Sequence, residues 1–201
     1  VRLWDVLFRG QLGVGLTVVG EMYARNVANL FVSPLRFSEF VTGQIVLSAL
    51  RALIGVGGAC LFAWLLFHYS IFSLGFPLIA YFTLLLGFGW AIGLAVSGMI
   101  LRWGLGAEEL AWAAVFLVAP VSGVYYPIAV LPPWLQAVAF AMPSAHVFEG
   151  MRGVLLDGQF RWDHFAWAAG LDVLYVVLGV IVFRAAIGYA REHGSLMQMG
   201  E

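Results

Sequence analysis

Four long apolar stretches limit what this chain can fold into more than any other feature of its sequence. A helix that crosses the ~30 Å hydrocarbon core of a bilayer needs about 20 mostly apolar residues. A transmembrane barrel is excluded, because barrel strands alternate apolar and polar residues over about ten positions. The stretches are apolar on every side, so we expect transmembrane helices at about residues 40–67, 74–100, 110–131 and 165–189.

The composition agrees with a membrane protein. The chain is 63% hydrophobic and 10% charged, whereas a soluble domain is about 45–50% apolar and about 25% charged. Its net charge of −1 provides no basic field that would favour nucleic acid. We therefore predict an all-α, polytopic membrane protein that forms a single domain over residues 1–201, with membrane lipids as partners and no nucleic acid.

The N-terminal residues 1–20 are harder to interpret. Arg2, Asp5 and Arg9 fit poorly at the centre of a bilayer, and the apolar part at 10–20 is too short to span it. We interpret this stretch as a partial span whose beginning is missing or polar-faced, so that the domain is expected to be N-terminally incomplete. A helix lying in the membrane interface is the alternative.

The arginines in the connections predict the orientation, because short cytoplasmic loops carry an excess of Lys and Arg. One set of connections comprises 21–39, 101–109 and 190–201, with Arg25, Arg36, Arg102 and Arg191; the opposite set comprises 68–73 and 132–164, with Arg152 and Arg161. The bias towards the first set places these connections, and the C-terminus, in the cytoplasm.

The connection at 21–39 has the pattern of a short amphipathic helix that ends at a proline. Helical spacing aligns an apolar stripe of Tyr23, Val27, Leu30 and Phe31 and a polar face of Glu21, Arg25 and Asn29. Ser33 and Pro34 are typical of the cap and first position of the next helix. Helices that lie on lipid head groups are usually rich in Lys and Arg, so this mixed-sign face fits a protein partner better.

The connection before the last apolar stretch is broken by proline. Residues 134–141 form an apolar segment too short to cross the membrane, and Ser144 can cap a second short helix. Two short apolar-faced helices predict an extracellular re-entrant hairpin; the alternative is an interfacial lid anchored by aromatic side chains. The prolines are Pro127, Pro132, Pro133 and Pro143, and the aromatic anchors would be Tyr125, Tyr126 and Trp134.

The second short helix carries His146, Glu149 and Arg152 three positions apart. A metal would need more ligands than the neighbourhood offers, so we expect a Glu149–Arg152 ion pair and no metal site. The sequence also has no phosphate-binding loop and no serine-hydrolase or zinc-peptidase motif. An intramembrane enzyme that acts on a lipid head group through His146, Glu149 and Asp157 is the alternative function.

Arg51 and Asp172 lie inside predicted spans, where a charge costs about 2.5–3.5 kcal/mol on insertion scales. The helical rise separates their expected depths by about 10 Å, so a direct pair is not the default. Either residue could face a translocation path or a subunit seam, or serve a structural role. Small residues at i, i+4 spacing, which favour close packing within the chain, are Gly55 and Ala59, and Gly89, Gly93 and Ser97.

Two of these segments resemble a known family. "EMYARNVANLFVSPLRFSEFVTGQ" is similar to the cytoplasmic segment of ABC-2 type transporter permeases, which leads into their third span. "SGVYYPIAVLPPWLQAVAFAMPSAHVFEGMRGVLL" resembles the stretch before their last helix. Both occur in the family's order, with two spans between them. Permeases of this kind have six spans, so the resemblance implies that this sequence begins after the first span, at or within the second.

The resemblance implies a transport subunit of the bacterial-type inner membrane. Two permease copies would form the path, and cytoplasmic ABC ATPase subunits would bind ATP and Mg²⁺, so no cofactor is expected in this chain. Helix 21–32 would be the coupling helix seated in the ATPase, and the hairpin 132–152 would form the outer gate. The implied coupling residues are Glu21, Tyr23, Arg25, Val27, Leu30, Phe31, Ser33, Pro34 and Arg36; the implied gate residues are Tyr125, Tyr126, Pro127, Pro132, Trp134, Pro143, His146, Glu149 and Arg152.

Export is the family's usual direction. Besides the enzyme alternative, a non-transporting membrane assembly subunit also fits the composition.

Overall fold

The computed structural model describes residues 2–24, 26, 36–67 and 75–192. These residues form seven α-helices, and no strand is present among them. The all-α prediction is therefore confirmed for the described ranges. The helices are α1 (Arg2–Tyr23), α2 (Phe37–Phe67), α3 (Phe76–Trp103), α4 (Glu109–Val118), α5 (Pro133–Phe140), α6 (Pro143–Asp157) and α7 (Trp162–Glu192), with 3-10 turns at Leu105–Ala107, Ala119–Val121 and Ile128–Val130.

Three helices within the described ranges are long and apolar enough to cross a membrane. They correspond to the first, second and fourth predicted spans, and they run over Phe37–Phe62, Phe76–Trp103 and Trp162–Ala190.

The third predicted span, at 110–131, is wrong as a continuous helix. Helix α4 ends at Val118, and a 3-10 turn at Ala119–Val121 follows it. Pro120 lies within that turn, where its ring and missing N–H oppose continuation of an α-helix. Gly123 then adopts a left-handed φ of 70°, which glycine reaches without the steric cost that a side chain would impose. The stretch is apolar throughout, but Pro120 and Gly123 interrupt the helix within it.

Helix α1 runs the full height of the bundle. The Trp4 ring lies 6.4 Å from the Phe148 ring, whereas the Tyr23 hydroxyl at the other end bonds Glu108. Its inward face is buried, and its outward charges pair as Arg9 and Asp5 at 2.8 Å. These contacts fit the polar-faced interpretation of residues 1–20 better than an interfacial helix.

Close contacts fix the directions of the long helices. Gly89 and Gly93 of α3 approach the backbone of α1: a Cβ at either position would lie 2.7 Å from a carbonyl oxygen, that of Leu7 or Gln11. The order of these contacts makes α1 and α3 parallel. It also confirms the close packing predicted for Gly89 and Gly93, whereas Ala59 of the other predicted pair is exposed. In the same way, α7 runs parallel to α3, and α2 runs antiparallel to α1.

The helix directions give the bundle two distinct ends. At the proximal end, which comprises residues 21–24, 26, 36–40, 102–109 and 189–192, the Arg102 guanidinium carbon lies 4.7 Å from the centre of the Tyr189 ring. At the distal end, which comprises residues 2–6, 76–82 and 119–165, the Tyr81 hydroxyl donates to the Arg161 carbonyl at 3.2 Å. The described borders of the predicted coupling segment and the proline-rich connection before α7 therefore lie at opposite ends.

Candidate functional sites at the two ends of the bundle

The proximal end holds both borders of the predicted coupling helix. Tyr23, the last residue of α1, donates its hydroxyl to Glu108 Oε2 at 3.0 Å. This bond ties the end of α1 to the connection between α3 and α4, a contact between residues far apart in sequence that local spacing could not predict. Glu21 accepts a bond from Asn26 Nδ2 at 2.8 Å. Arg25, which is predicted on the same polar face as Glu21, lies outside the described residues, as do Val27, Leu30, Phe31, Ser33 and Pro34.

The second border is the start of α2. The backbone N–H of Arg36 donates to Glu39 Oε2 at 2.9 Å, and the Arg36 carbonyl accepts from the Phe40 N–H at 3.1 Å. A glutamate three residues into a helix that reaches back to the cap position is half of a capping box. The described start of α2 is therefore fixed by Arg36 and Glu39.

A polar seam crosses the apolar bundle between its two ends, and sequence reasoning missed it. Gln11 is fully buried and donates its side-chain amide to the Ala111 carbonyl at 2.8 Å. Trp90 donates its indole N–H to Ser48 Oγ at 3.1 Å, and Ser48 donates to the Gly10 carbonyl at 3.3 Å. These bonds join α1 to α2 and α4, and α2 to α3. Single polar residues in apolar helices gave no pattern from which to predict them.

Arg51 and Asp172 occupy different surroundings. Arg51 is exposed on α2, whereas Asp172 of α7 faces α3 at Gly87, where no side chain stands in its way. The ion pairs found in the described part of the chain do not join the two residues, in agreement with the expectation that a direct pair is not the default.

At the distal end, Glu149 and Arg152 of α6 hold the irregular segment 122–131. Arg152 Nη1 lies 2.7 Å from Glu149 Oε1, which confirms the predicted ion pair. The same carboxylate oxygen accepts the Ile128 N–H at 2.8 Å, and Arg152 Nη2 donates to the Gly123 carbonyl at 2.8 Å. Ionised partners make such bonds stronger than neutral ones. The pair therefore serves as a bracket between α6 and the segment.

The remaining residues predicted for the outer gate surround this bracket. Tyr126 donates its hydroxyl to the Pro120 carbonyl at 2.5 Å, and Tyr125 and Trp134 are exposed. Pro127 and Pro132 precede the turn at Ile128–Val130 and helix α5, respectively. Tyr125, Tyr126 and Pro127 thus lie within the segment 122–131, and Pro132 and Trp134 lie at the start of α5, which follows it in the chain.

The cap predicted for the second short helix is wrong. Pro143, rather than Ser144, begins α6, and the cap residue is Met142, which makes no side-chain cap hydrogen bond. Proline suits the first helical position because its φ is already helical and its missing N–H would be unpaired there anyway. Ser144 is consequently inside the helix and buried.

His146 has two partners besides its own helix. Its Nε2 lies 2.9 Å from the Phe140 carbonyl oxygen at the end of α5, and its Nδ1 lies 3.3 Å from His164 Nδ1 in the first turn of α7. Burial is the largest cause that lowers the pKa of His146, and the charge of His164 lowers it further, against opposing effects of the Phe140 carbonyl and Asp163. The contact with His164 depends on how α6 packs on α7, which spacing along one helix could not show.

The enzyme constellation is not assembled. His146 and Glu149 bond separate partners. Asp157 is exposed at the end of α6, about 16 Å beyond His146 by the rise of the helix per residue. No group of three or more His, Cys, Asp or Glu side chains within the described ranges could hold a metal.

The helices within the described ranges that are long and apolar enough to cross a membrane define a multi-pass membrane protein. The model of the ABC-2 type transporter family matches residues 6–156, from α1 to α6, and the chain therefore belongs to that family. This makes the chain a membrane-embedded transporter permease subunit, a role in which members generally are not catalytic themselves and pair with an ABC ATPase. Among curated proteins, none matches this chain.

Proposed function

We propose that this chain is the permease subunit of an ATP-driven exporter in a bacterial-type inner membrane. Two copies form the translocation path, the C-terminus faces the cytoplasm, and separate ATPase subunits bind ATP and Mg²⁺. The observation that carries the proposal is the family match, together with the two anchors at the proximal end, Tyr23 and Arg36, that border the predicted coupling segment in the sequence.

Those anchors suggest how ATPase movement reaches the membrane. A partner that binds helix 21–32 would transmit its movement to α1 and, through the bond of Tyr23 with Glu108, to the connection between α3 and α4. The same movement would reach α2 through its capped start at Arg36 and Glu39. Binding at this one segment would therefore act on four helices, and closure of the ATPases would move these helices as a group. Glu21, Arg25, Val27, Leu30, Phe31, Ser33 and Pro34 complete the proposed coupling surface.

At the other end, α5 and α6 form the proposed outer gate as a re-entrant hairpin. The first half of α6 is buried, and it packs against α3 and α7 rather than lying above them. Irregular backbone at membrane depth survives only where protein or water covers it. The bracket of Glu149 and Arg152 provides such cover for the segment 122–131 by bonding its polar groups.

The path itself would lie where two copies meet. Helix α2 exposes a large apolar surface that lipid or a second copy must cover, formed by Val46, Leu47, Leu50, Leu53, Ile54, Leu61, Phe62 and Leu65. Arg51 is exposed among these side chains, so this residue lines the path or the seam between copies. Asp172 faces α3 within the same chain, so we assign it a role in the packing of α7 on α3 or at the edge of the path.

The test of coupling uses the permease co-expressed with its ATPase subunit. We expect Arg25→Glu and Leu30→Asp each to abolish transport-linked ATP hydrolysis and to weaken co-purification, because each breaks one face of helix 21–32. Membrane insertion, measured by fractionation, should be unchanged. Asp157→Arg is the matched control: it reverses a charge at the distal end and should leave co-purification intact. If both proximal variants retain full co-purification and coupled hydrolysis, the proposed coupling role is wrong.

A further inference from the structure

The histidines at the distal end form a contact that the transport mechanism does not require. His146 lies on α6 and His164 on α7, and the Phe140 carbonyl that completes the group belongs to α5. Three separate helices therefore meet at two imidazole rings. His146 is 6% exposed, and the ring of Trp167 stacks over it with centroids 6.3 Å apart.

The positions of the protons follow from the partners. A carbonyl oxygen only accepts, so Nε2 of His146 must carry the proton that faces Phe140. In a neutral His146, Nδ1 is then an acceptor. The Nδ1 of His164, 3.3 Å away, must donate to it. The structure thus requires the two rings to adopt opposite tautomers.

We propose that His146 and His164 form a shared-proton latch, which holds the α5–α6 hairpin against α7 near neutral pH and releases it when the distal end is acidified. The contact holds one proton between the facing nitrogens, and beside a neutral His146 that proton belongs to His164. If Nδ1 of His146 also takes up a proton, two N–H groups face each other at this distance, and the bond is replaced by repulsion. Acid therefore opens the latch.

The surrounding charges do not cancel this effect. Asp163 Oδ2 lies 3.9 Å from His164 Nε2, but its side chain is 60% exposed and also pairs with Arg161. Asp163 raises the pKa of His146, but less than burial lowers it. Tyr81 of α3 bonds only the Arg161 backbone there, and the Glu149–Arg152 pair bonds the segment 122–131 instead. Phe140 and Trp167 contribute no charge.

The direction of the pH dependence can be worked out. The pKa of His146 is lowered in the folded protein, mainly by burial, so the open form binds more protons than the latched form. The latch is consequently complete above the ordinary histidine pKa of about 6.5 and is lost as pH falls below it. If opening takes up one proton, the open population rises by up to about tenfold per pH unit in that window.

The first readout is the tautomer of each ring, measured by ¹⁵N NMR on full-length, histidine-labelled protein in lipid nanodiscs. The chain has four histidines, so single substitutions can assign the signals. At pH 7.5 we expect His146 protonated on Nε2 and His164 on Nδ1. Finding His164 with its proton on Nε2 at this pH would overturn the proposal.

The second readout is hydrogen exchange of residues 133–157 at pH 7.5 and 5.5, corrected for the intrinsic rate of amide exchange. We expect protection to fall at pH 5.5 in the wild type, and this response to shrink in His164→Gln, because the Gln amide can offer either a donor or an acceptor to Nδ1 of His146. His193→Gln removes a histidine near the C-terminal end of the sequence and should respond as the wild type does. If His164→Gln loses as much protection at pH 5.5 as the wild type does, the proposed latch is wrong. Neither readout involves transport, so failure of the latch and failure of the proposed function are distinguishable.

Discussion

The proximal and distal ends of the bundle are fastened by different kinds of contact. At the proximal end the described borders of the segment 21–36 make exposed hydrogen bonds, those of Tyr23 with Glu108 and of Arg36 with Glu39. At the distal end the irregular segment 122–131 is held to α6 by the partly buried Glu149–Arg152 bracket. Exposed polar contacts contribute little stability because water competes for them, whereas removing one partner of a buried charge leaves the other unpaired at high cost.

This difference matches the two tasks that we propose. A segment gripped by a soluble partner can draw its rigidity from that partner, so weak contacts within the chain are sufficient. A hairpin that must shield irregular backbone from lipid has to be satisfied by its own side chains. Contacts at the proximal end should therefore matter mainly for coupling, and contacts at the distal end mainly for folding.

The largest expected effect on stability comes from Arg152→Gln. The change breaks the pair with Glu149 and the bond to the Gly123 carbonyl, and it should lower the free energy of unfolding by about 2 kcal/mol. Thermal unfolding in detergent measures this as a lower melting temperature. Arg161→Gln is the matched control, because Arg161 pairs with Asp163 at the exposed surface of the same end. A loss in Arg161→Gln as large as that in Arg152→Gln would remove the distinction between the bracket and a surface pair.

The smallest expected effect comes from Tyr23→Phe. The variant loses only the exposed bond to Glu108, so its melting temperature should match that of the wild type. Coupled ATP hydrolysis should fall on the order of twofold, since a single exposed polar contact is weak. Stimulated ATPase activity of the reconstituted complex measures this. A large drop in melting temperature with full coupling would reverse the assignment of the two ends.

Much of the fold could be predicted because membrane helices are set by local apolar content. Phe37–Phe62, Phe76–Trp103 and Trp162–Ala190 follow directly from it. The break after Val118 was missed because hydropathy averages over Pro120 and Gly123, whose backbone effects decide the local structure. The Glu149–Arg152 pair was predictable because both residues lie on one helix face.

The contacts between distant residues could not be predicted in the same way. Tyr23 and Glu108 meet because α1 runs parallel to α3, and Gly89 and Gly93 let those helices approach. The spacing of the glycines indicated close packing, but not which helix would fill the space. His164 likewise became a partner of His146 only through the packing of α6 on α7.

The most direct test of the central claim is photocrosslinking of the assembled transporter. A photoreactive amino acid replaces Leu30 in the proposed coupling helix or, as the matched control, exposed Trp134 at the distal end. We expect the probe at position 30 to crosslink to the ATPase subunit, with a yield that changes when ATP is added, and the probe at position 134 to give no such product. Equal crosslinking from both positions, or none from position 30 in a complex that still hydrolyses ATP, would contradict the account.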